Sequence, residues 1–451
     1  MICPHTAITS KVFEPESVKG APEAFEVVPE THTSELEGLD YRIQVAPDDC
    51  TGCGLCVEVC PAKDRTQPKR KAINMQPIEA HREVEAENLA FFRQLPAVPR
   101  DRIPRDFKSL PLLTASSEPT PTLESSYTAW TRENRDTIAE MKRLEEENNR
   151  LFIDAYGLAD ELSPDVPLSQ ITLTVNPAYR YGGKLDEAEQ WTRFRQDTME
   201  ELVSYAIGCM MGRYSLDAPG LIYAHSSNEG FDALLDEGRY ATFPADDDGI
   251  VPITDREWFS DDAANRVEEF IAVAWDKTGL EQNLAFLADN LSPKKGEGPR
   301  DTLRRYLSDA FFKGHMKTYK KRPIYWLFSS GKQKAFQCLV YLHRYNEGTL
   351  ARMRTEYVIP LTAKMSSHVQ KLEKDVETSD SAAEVKRLEK EIAKLHKQQA
   401  ELSEFDEKLR HYADMRISLD LDDGVKVNYG RFGDLLSDVK AIHGKAPEVI
   451  V

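Results

Sequence analysis

The strongest periodic pattern of apolar and polar positions lies near the C-terminus. Two apolar stripes recur there at spacings of three and four residues, and the polar segment 378–382 separates them. The first stripe consists of Leu361, Met365, Val369, Leu372 and Val376. The second consists of Val385, Leu388, Ile392, Leu395, Leu402, Phe405, Leu409 and Tyr412. Because such spacing places apolar side chains on one helix face and the connection is short, the pattern predicts an antiparallel, coiled-coil-like helical hairpin over 346–415.

Upstream of this hairpin, apolar residues within a strongly charged stretch predict a long helix from Tyr127 to Tyr156, which Gly157 ends. Residues 127–345 alternate helical patterns with short loops and a few apolar runs, a pattern typical of an α-rich mixed domain. A C-terminal segment, 416–451, follows the hairpin. The chain as a whole is therefore predicted to be α+β, with mainly α structure.

The N-terminal part of the chain has a different pattern. Short alternating runs at 41–45 and 71–75 predict strands on either side of a cysteine run, and a helix is predicted from about Ile78 to Leu95. Prolines end this helix, so we place the boundary of a first unit, 1–105, after them. The Ser-, Thr- and Pro-rich composition that follows predicts an extended linker at 106–126.

The cysteine run CTGCGLCVEVCP carries the strongest chemical signal. Cys50, Cys53, Cys56 and Cys60 have the CxxCxxCxxxCP spacing of a bacterial-type iron–sulfur site. The two-residue gaps let a short loop surround one face of a cubane with three thiolates. The alternative is a zinc site, but zinc normally takes two separated pairs of ligands. The spacing therefore predicts a 4Fe-4S cluster.

Cys3 is a further candidate ligand. In two-cluster ferredoxins the fourth cysteine of such a run ligates the other cluster. Cys3 and Pro4 have the form of the end of a second run whose first three cysteines are absent from this sequence. The sequence therefore predicts one cluster, completed by either Cys3 or Cys60. The alternative for Cys3 is an incidental thiol near the terminus.

Composition limits the classes of function. The chain has 451 residues and a net charge of −18, which argues against general adhesion to nucleic acid. Cys209 and Cys338 lie in apolar surroundings in the sequence, which favours a reducing compartment without disulfides. No apolar stretch approaches the ~20 residues of a membrane span, and the N-terminus has no signal-peptide pattern. We therefore expect a cytoplasmic protein without a membrane partner.

One stretch reverses the overall sign of the charge. Residues 311–346 contain no Asp or Glu, although the chain has 76 acidic and 58 basic residues. Its candidate DNA-binding cations are Lys313, Lys317, Lys320, Lys321, Arg322, Lys332 and Lys334. Interleaved aromatic residues such as Tyr325 and Trp326 suit packing on sugar or base, so one interpretation of the stretch is a contact with nucleic acid. The alternative is a solvated basic face beside a buried strand.

The segment NPAY at 176–179 resembles the Asn-Pro-Pro-Tyr motif of amino methyltransferases, but Ala178 occupies its third position. The sequence also has no glycine-rich turn between a hydrophobic strand and a helix that would hold S-adenosylmethionine. We therefore predict no catalytic residue and no binding of S-adenosylmethionine by this chain. The acidic segment DDDG at 246–249 predicts a turn, because it does not continue with calcium-loop spacing.

The first unit resembles the ferredoxin-like domain of the pyruvate:ferredoxin (flavodoxin) oxidoreductase family. The resemblance runs through CPHTAI, YRIQVAPDDCTGCGLCVEVCPAKD and HREVEAEN to about residue 103. It implies a truncated ferredoxin-like unit that passes electrons to a redox partner. The cysteines that match family ligands are Cys3, Cys50, Cys53, Cys56 and Cys60.

From about Asp106 onward, the chain resembles the C-terminal region of the PglX family of adenine-specific DNA methyltransferases, which belong to BREX (bacteriophage exclusion) defence systems. Segments that carry the resemblance include LFIDAYGLADEL, YAIGCMMGRYSLDAPGLIYA and KRPIYWLFSSGKQKAF. It implies DNA recognition and contact with other BREX proteins, whereas the catalytic motifs of the family lie upstream of the matched region. The main hypothesis is a DNA-recognition and partner-binding part of such a methyltransferase, fused to a 4Fe-4S segment. The alternative is an electron-transfer protein whose larger domain is a docking module.

Overall fold

The structure, a computed structural model, describes residues 8–29, 38–47, 56–57, 71, 73–95, 107–420 and 424–444. The chain forms two compact units, Met1–Phe107 and Lys108–Val451. Helices predominate and the sheets are small, so the predicted mainly helical class is confirmed. Within the described ranges, no helix is both long enough and apolar enough to cross a membrane.

The smaller unit contains a three-stranded antiparallel sheet with the strand order β1–β3–β2. Its elements are β1 (Ile8–Phe13), β2 (Val28–Pro29), β3 (Asp40–Val45) and helix α1 (Arg82–Gln94). Phe13, Phe25, Phe92 and Leu95 form the core of the unit. Lys11 of β1 donates a hydrogen bond from Nζ to the main-chain oxygen of Phe92 at 2.7 Å, which fastens the end of α1 to the sheet.

Two of the elements predicted for the smaller unit are confirmed. The run at 41–45 lies in β3, and a 3-10 turn at Ile78–Ala80 leads into α1 within the predicted helix. Of the second predicted strand, Lys71 forms a single β-bridge, whereas residues 73–75 lie outside any strand.

The larger unit consists of helices around a second small sheet. Its strands are β4 (Ile250–Pro252), β5 (Tyr325–Ser329) and β6 (Gln337–Tyr341). Its helices are α2 (Leu123–Tyr156), α3 (Pro177–Tyr181), α4 (Glu187–Met210), α5 (Phe231–Asp236), α6 (Ala263–Ala274), α7 (Leu280–Asp289), α8 (Pro299–Tyr306), α9 (Phe312–Thr318), α10 (Thr349–Arg352), α11 (Ile359–Thr378), α12 (Ala382–Asp414), α13 (Gly424–Gly430) and α14 (Val439–His443).

The sheet of the larger unit lies within the main hydrophobic core. The strand order is β4–β6–β5 with antiparallel pairing, and Leu327 lies opposite Leu339. Every residue of β5 and β6 is buried. Because both faces of these strands are covered, their sequences are nearly continuous apolar runs and do not alternate with polar residues.

The start of the larger unit differs from the extended linker predicted at 106–126. Leu110 and Leu112 are buried in the main core. Helix α2 begins at Leu123, four residues before the predicted start, because Thr122 and Ser125 form a capping box at its N-terminus. Leucine side chains that reach the core therefore fix a segment whose composition is typical of a connector.

The end of α2 follows the prediction. Gly157 has a φ of 66°, and its N–H donates to the carbonyl oxygen of Asp154 at 3.1 Å. Glycine adopts this left-handed conformation at no steric cost, which is why helices often end at it. The last turns of α2 project from the core, and the side chain of Tyr156 is 74% exposed.

Helices α11 and α12 follow each other with three residues between them. Their apolar stripes are buried in two places. Val369, Leu372, Leu388 and Leu395 form a cluster of their own. Nearer the sheet, the members Leu361, Met365, Leu402, Phe405, Leu409 and Tyr412 join the main core.

Candidate nucleic-acid interface and iron–sulfur segment

Four of the five candidate cluster ligands, Cys3, Cys50, Cys53 and Cys60, lie outside the described residues. Cys56 lies in a helical turn at 56–57 and is half-buried. Lys71 donates a hydrogen bond from Nζ to the main-chain oxygen of Val57 at 2.6 Å. A residue that follows the cysteine run in the sequence thus contacts the run in the fold. As a donor set, thiols at this spacing match the ligand chemistry of a four-iron cluster.

The aromatic residues of the basic stretch are part of the core. Trp326 of β5 is 0% exposed, and its indole N–H donates to the main-chain oxygen of Pro323 at 3.0 Å. Tyr325 is also buried, and its ring stacks on that of His315 with the centroids 4.8 Å apart. The buried-strand alternative is therefore correct for these two residues, because neither presents a face on which a base would stack.

The cations of the basic stretch lie mostly on the surface. Lys334 is half-buried, whereas the six others are exposed and form no ion pair with the residues that the structure describes. These exposed cations are Lys313, Lys317, Lys320, Lys321, Arg322 and Lys332. They do not form one patch. Lys320, Lys321 and Arg322 precede β5, and Lys332 lies beyond its other end.

Acidic side chains from other elements reach the loop between β5 and β6, residues 330–336. Glu401 of α12 accepts a hydrogen bond from the main-chain N–H of Gln333 at 2.7 Å. Lys334 pairs with the carboxylate of Asp309. The stretch is free of acidic residues in the sequence, but its charge is partly neutralised at this end in the fold.

A further acidic side chain, that of Glu200, lies near Lys317. Burial raises the pKa of Glu200 on α4, and the positive charge of Lys317 acts in the opposite direction. Lys320, Lys321 and Arg322 are exposed and form no ion pair with a described residue. The segment before β5 is therefore the part of the basic stretch best suited to meet a polyanion.

His315 fixes the position of this segment from the inside. Its ring lies in the core, and Nε2 accepts hydrogen bonds from the main-chain N–H groups of Ile324 at 3.1 Å and Tyr325 at 3.2 Å. Burial, with a smaller effect of the positive charge of Arg213, lowers the pKa of His315 to about 3. The imidazole thus stays neutral at ordinary pH and keeps an acceptor for both donors. No pattern in the sequence indicates this role for His315.

The NPAY segment has a structural role. Asn176 is 2% exposed and caps helix α3, since its side-chain oxygen accepts from the N–H of Ala178 at 3.1 Å. Its amide nitrogen donates to the main-chain oxygens of Leu168 at 2.7 Å and Ile171 at 2.9 Å. All three hydrogen bonds join Asn176 to its own neighbourhood, as expected for a cap.

The DDDG segment forms a loop held by partly buried hydrogen bonds, in agreement with the predicted turn. Asp246 Oδ1 accepts from the N–H groups of Gly249 at 2.7 Å and Ile250 at 3.2 Å. The guanidinium group of Arg344, which is 1% exposed, donates to the main-chain oxygen of Asp247 at 2.8 Å. Burial raises the pKa of Asp246 to about 8, and the nearby carboxylate of Asp248 acts in the same direction.

The sequence did not indicate these hydrogen bonds, because Arg344 is about 100 residues away from the loop that it holds. No group of three or more His, Cys, Asp or Glu side chains within the described ranges is arranged to hold a metal ion.

Comparison with known proteins divides the chain into a short N-terminal part and a longer second part, as its sequence pattern does. Residues 1–63 match the model of the 4Fe-4S dicluster domain family. A segment of 96 residues is 50% identical to the pyruvate-flavodoxin oxidoreductase of Trichormus variabilis and covers 21% of this chain and 8% of that enzyme.

Most of the chain is similar to adenine-specific methyltransferases. The adenine-specific methyltransferase BrxX of Escherichia coli O9:H4 (strain HS) is 52% identical over 330 residues, which are 72% of this chain and 27% of that protein. The adenine-specific methyltransferase PglX of Lacticaseibacillus casei (strain Zhang) is 38% identical over 313 residues, which are 69% of this chain and 24% of that protein. The chain thus spans about a quarter of the length of these methyltransferases. Its two parts resemble different proteins, which is the arrangement of a fusion.

Proposed function

We propose that the larger unit recognises double-stranded DNA and binds partner proteins of a BREX phage-defence system, as the C-terminal part of a PglX-like adenine-specific methyltransferase does. The proposal further assigns a 4Fe-4S cluster to the first unit. The role of the larger unit rests on the identity of 52% to BrxX over most of the chain. The exposed cations before β5 supply the chemistry for DNA binding.

Electrostatics restrict how such a protein meets DNA. At a net charge of −18 the chain as a whole repels a polyanion, so binding must use a local positive surface. Lys320, Lys321 and Arg322 are adjacent, exposed and free of ion pairs with described residues. Phosphate contacts of this kind position a protein on DNA and do not depend on the base sequence.

The proposal includes an organisation of the chain. A truncated ferredoxin-like unit occupies residues 1–105, and the segment 106–126 leads into an α-rich domain at 127–345. An antiparallel helical hairpin at 346–415 and a C-terminal segment at 416–451 follow. The protein works in the cytoplasm, and none of its residues is catalytic. Methyl transfer would then require a methyltransferase module supplied from elsewhere, and this chain does not bind S-adenosylmethionine.

The DNA-binding part of the proposal is tested by a salt titration of binding to a fluorescent 20-base-pair duplex. Each phosphate contact adds about −0.9 to the slope of log affinity against log salt. Replacing Lys320, Lys321 and Arg322 together with Ala should therefore reduce the slope by up to ~3. If the wild-type chain does not bind duplex DNA even at low salt, the proposal is wrong.

A second candidate function is electron transfer, and the match of residues 1–63 to the 4Fe-4S dicluster domain favours it. In that case the cluster exchanges electrons with a redox partner, and the larger unit is a docking module. The ligands of the proposed single cluster are Cys50, Cys53 and Cys56, completed by Cys3 or Cys60. A brown, redox-active protein that does not bind duplex DNA would favour this second function.

A further inference from the structure

The chain reverses direction between α9 and β5 in a turn formed by residues 319–322. The N–H of Lys321 donates to the main-chain oxygen of Met316 at 2.7 Å, and that of Lys320 donates to Lys317 at 3.2 Å. These are the two hydrogen bonds of a Schellman motif, which ends a helix by turning the next residue into the left-handed conformation. The N–H of Arg322 then bonds to the oxygen of Tyr319 at 2.9 Å and closes the turn.

The residue types in this turn are unusual for its backbone. Lys320 and Lys321 have φ angles of 50° and 61°. The first left-handed position of a Schellman motif is usually glycine, because a Cβ atom there costs about 1 kcal/mol or more. A lysine charge near the C-terminus of a helix recovers about 0.3–1 kcal/mol at best. The charge alone therefore does not explain two consecutive lysines where glycine would fit better.

We propose that residues 320–322 form a preformed clasp for a phosphodiester group of duplex DNA, with the strained turn holding the cations of Lys320, Lys321 and Arg322 in place. This inference rests on the proposed function, DNA binding by the larger unit, and identifies where that unit contacts the backbone. Residues kept in sparsely populated backbone conformations commonly serve a site, which is the physical reason to assign one here.

The turn is anchored on its inner side. The hydroxyl of Tyr319 accepts a hydrogen bond from Arg213 Nη1 at 2.7 Å, and its ring lies 4.6 Å from the ring of His315. His315 in turn binds the main-chain N–H groups of Ile324 and Tyr325, which follow the turn. Both ends of the turn are thus fixed before any ligand arrives. Such preorganisation reduces the entropy lost on binding.

The charges on the outer side suit a phosphate. All three side chains are exposed, and none has an ion pair with a described residue. The other end of β5 provides the contrast, because there Glu401 and Asp309 supply negative charge. Three adjacent exposed cations without an ion pair to a described acid suit contact with a phosphate group.

Two double variants of the full chain separate the role of the turn backbone from that of its charges. Lys320→Gly with Lys321→Gly relieves the backbone strain and removes two charges. Lys320→Asn with Lys321→Asn removes the same charges with a residue that also tolerates the left-handed conformation. The matched control is Lys371→Ala with Lys374→Ala, which removes two exposed lysines from α11.

The variants are compared by melting temperature and by salt titration of binding to a 20-base-pair duplex. We expect both turn variants to melt at or above the wild-type temperature, and their log–log salt slopes to fall by up to ~2. The control should keep the wild-type slope. A competition with inorganic phosphate at constant ionic strength separates the two sources of phosphate: it should not release the duplex, and release would overturn the assignment to DNA.

Other outcomes also contradict the proposal. A wild-type slope in either turn variant would show that the clasp does not contact DNA. A lower melting temperature in both would show that the two lysines serve the fold. In each case the wild-type chain still binds duplex DNA, so the proposed function survives, whereas a wild-type chain that does not bind overturns both.

Discussion

Arg344 and Asp246 are about 100 residues apart in the sequence, yet the buried guanidinium group of Arg344 donates a hydrogen bond to the main-chain oxygen of Asp246. The side chain of Asp246 turns the other way and accepts hydrogen bonds from the loop that follows it. One acidic loop of the larger unit is thus held from two sides, and the side chain of Asp246 is half-buried.

This burial predicts a pH dependence of stability. The pKa of Asp246 is about 8 in the folded chain, against an ordinary value of 3.8, so the folded state binds more protons between these values. Stability should therefore fall as the pH rises from about 4 to about 8. The free energy of unfolding, measured by urea denaturation at pH 5.5 and 8.5, should be lower at pH 8.5.

The variant Asp246→Asn keeps an acceptor oxygen for the loop and does not ionise, so it should show a smaller difference between the two pH values. Asp236→Asn, at the exposed end of α5, serves as the control and should behave as the wild type does. An unchanged pH dependence in Asp246→Asn would show that this carboxyl group is not its source.

The burial of Trp326 predicts a large effect on stability. Trp326→Ala should lower the free energy of unfolding by about 3–5 kcal/mol, because the change leaves a cavity in the core. Tyr156→Ala, at a side chain that is 74% exposed, is the control and should change it by no more than about 0.5 kcal/mol. If Trp326→Ala weakened DNA binding while the melting temperature held, the tryptophan would be a stacking residue.

The cysteine run predicts about four iron atoms per chain after anaerobic reconstitution, since the five candidate thiols complete one cubane and not two. Cys3→Ala should abolish the cluster if Cys3 is its fourth ligand, and Cys60→Ala should do so if the run closes on itself. Cys209→Ala removes a buried thiol outside the run and should leave the iron content unchanged. A count near eight, or full iron content in both ligand variants, would contradict the single-cluster scheme.

We predict no methyl transfer by the isolated chain. Incorporation of tritiated methyl groups from S-adenosylmethionine into duplex DNA should stay at background. Because Asn176 is buried and its side chain makes three hydrogen bonds, Asn176→Ala should instead lower stability, by about 1–3 kcal/mol. Tyr179→Ala, in the same segment but exposed, is the control. Methyl incorporation by the wild type that disappears in Asn176→Ala would show that NPAY is catalytic.

Local patterns predicted the helices well, because helix formation depends on residues three and four positions apart. The end of α2 at Gly157 and the two buried stripes, with Leu361 on α11 and Leu402 on α12, follow from such spacing. The connector around Leu110 was harder to predict. Its composition is typical of a linker, and only the position of the core shows that two leucines in it are buried.

By itself, the sequence determined the periodicity of the helices, the spacing of the cysteines and the resemblance of each part to a known family, because each of these is read along the chain. The tertiary structure decided which charges remain free. Glu401 lies far from Lys332 in the sequence but hydrogen bonds to the loop that contains it, and Asp309 pairs with Lys334. Electrostatic interactions act through space, so a stretch without acidic residues is partly neutralised at one end and remains positive at the other. Only the folded chain distinguishes these two ends and leaves Lys320, Lys321 and Arg322 as the candidate contact with DNA.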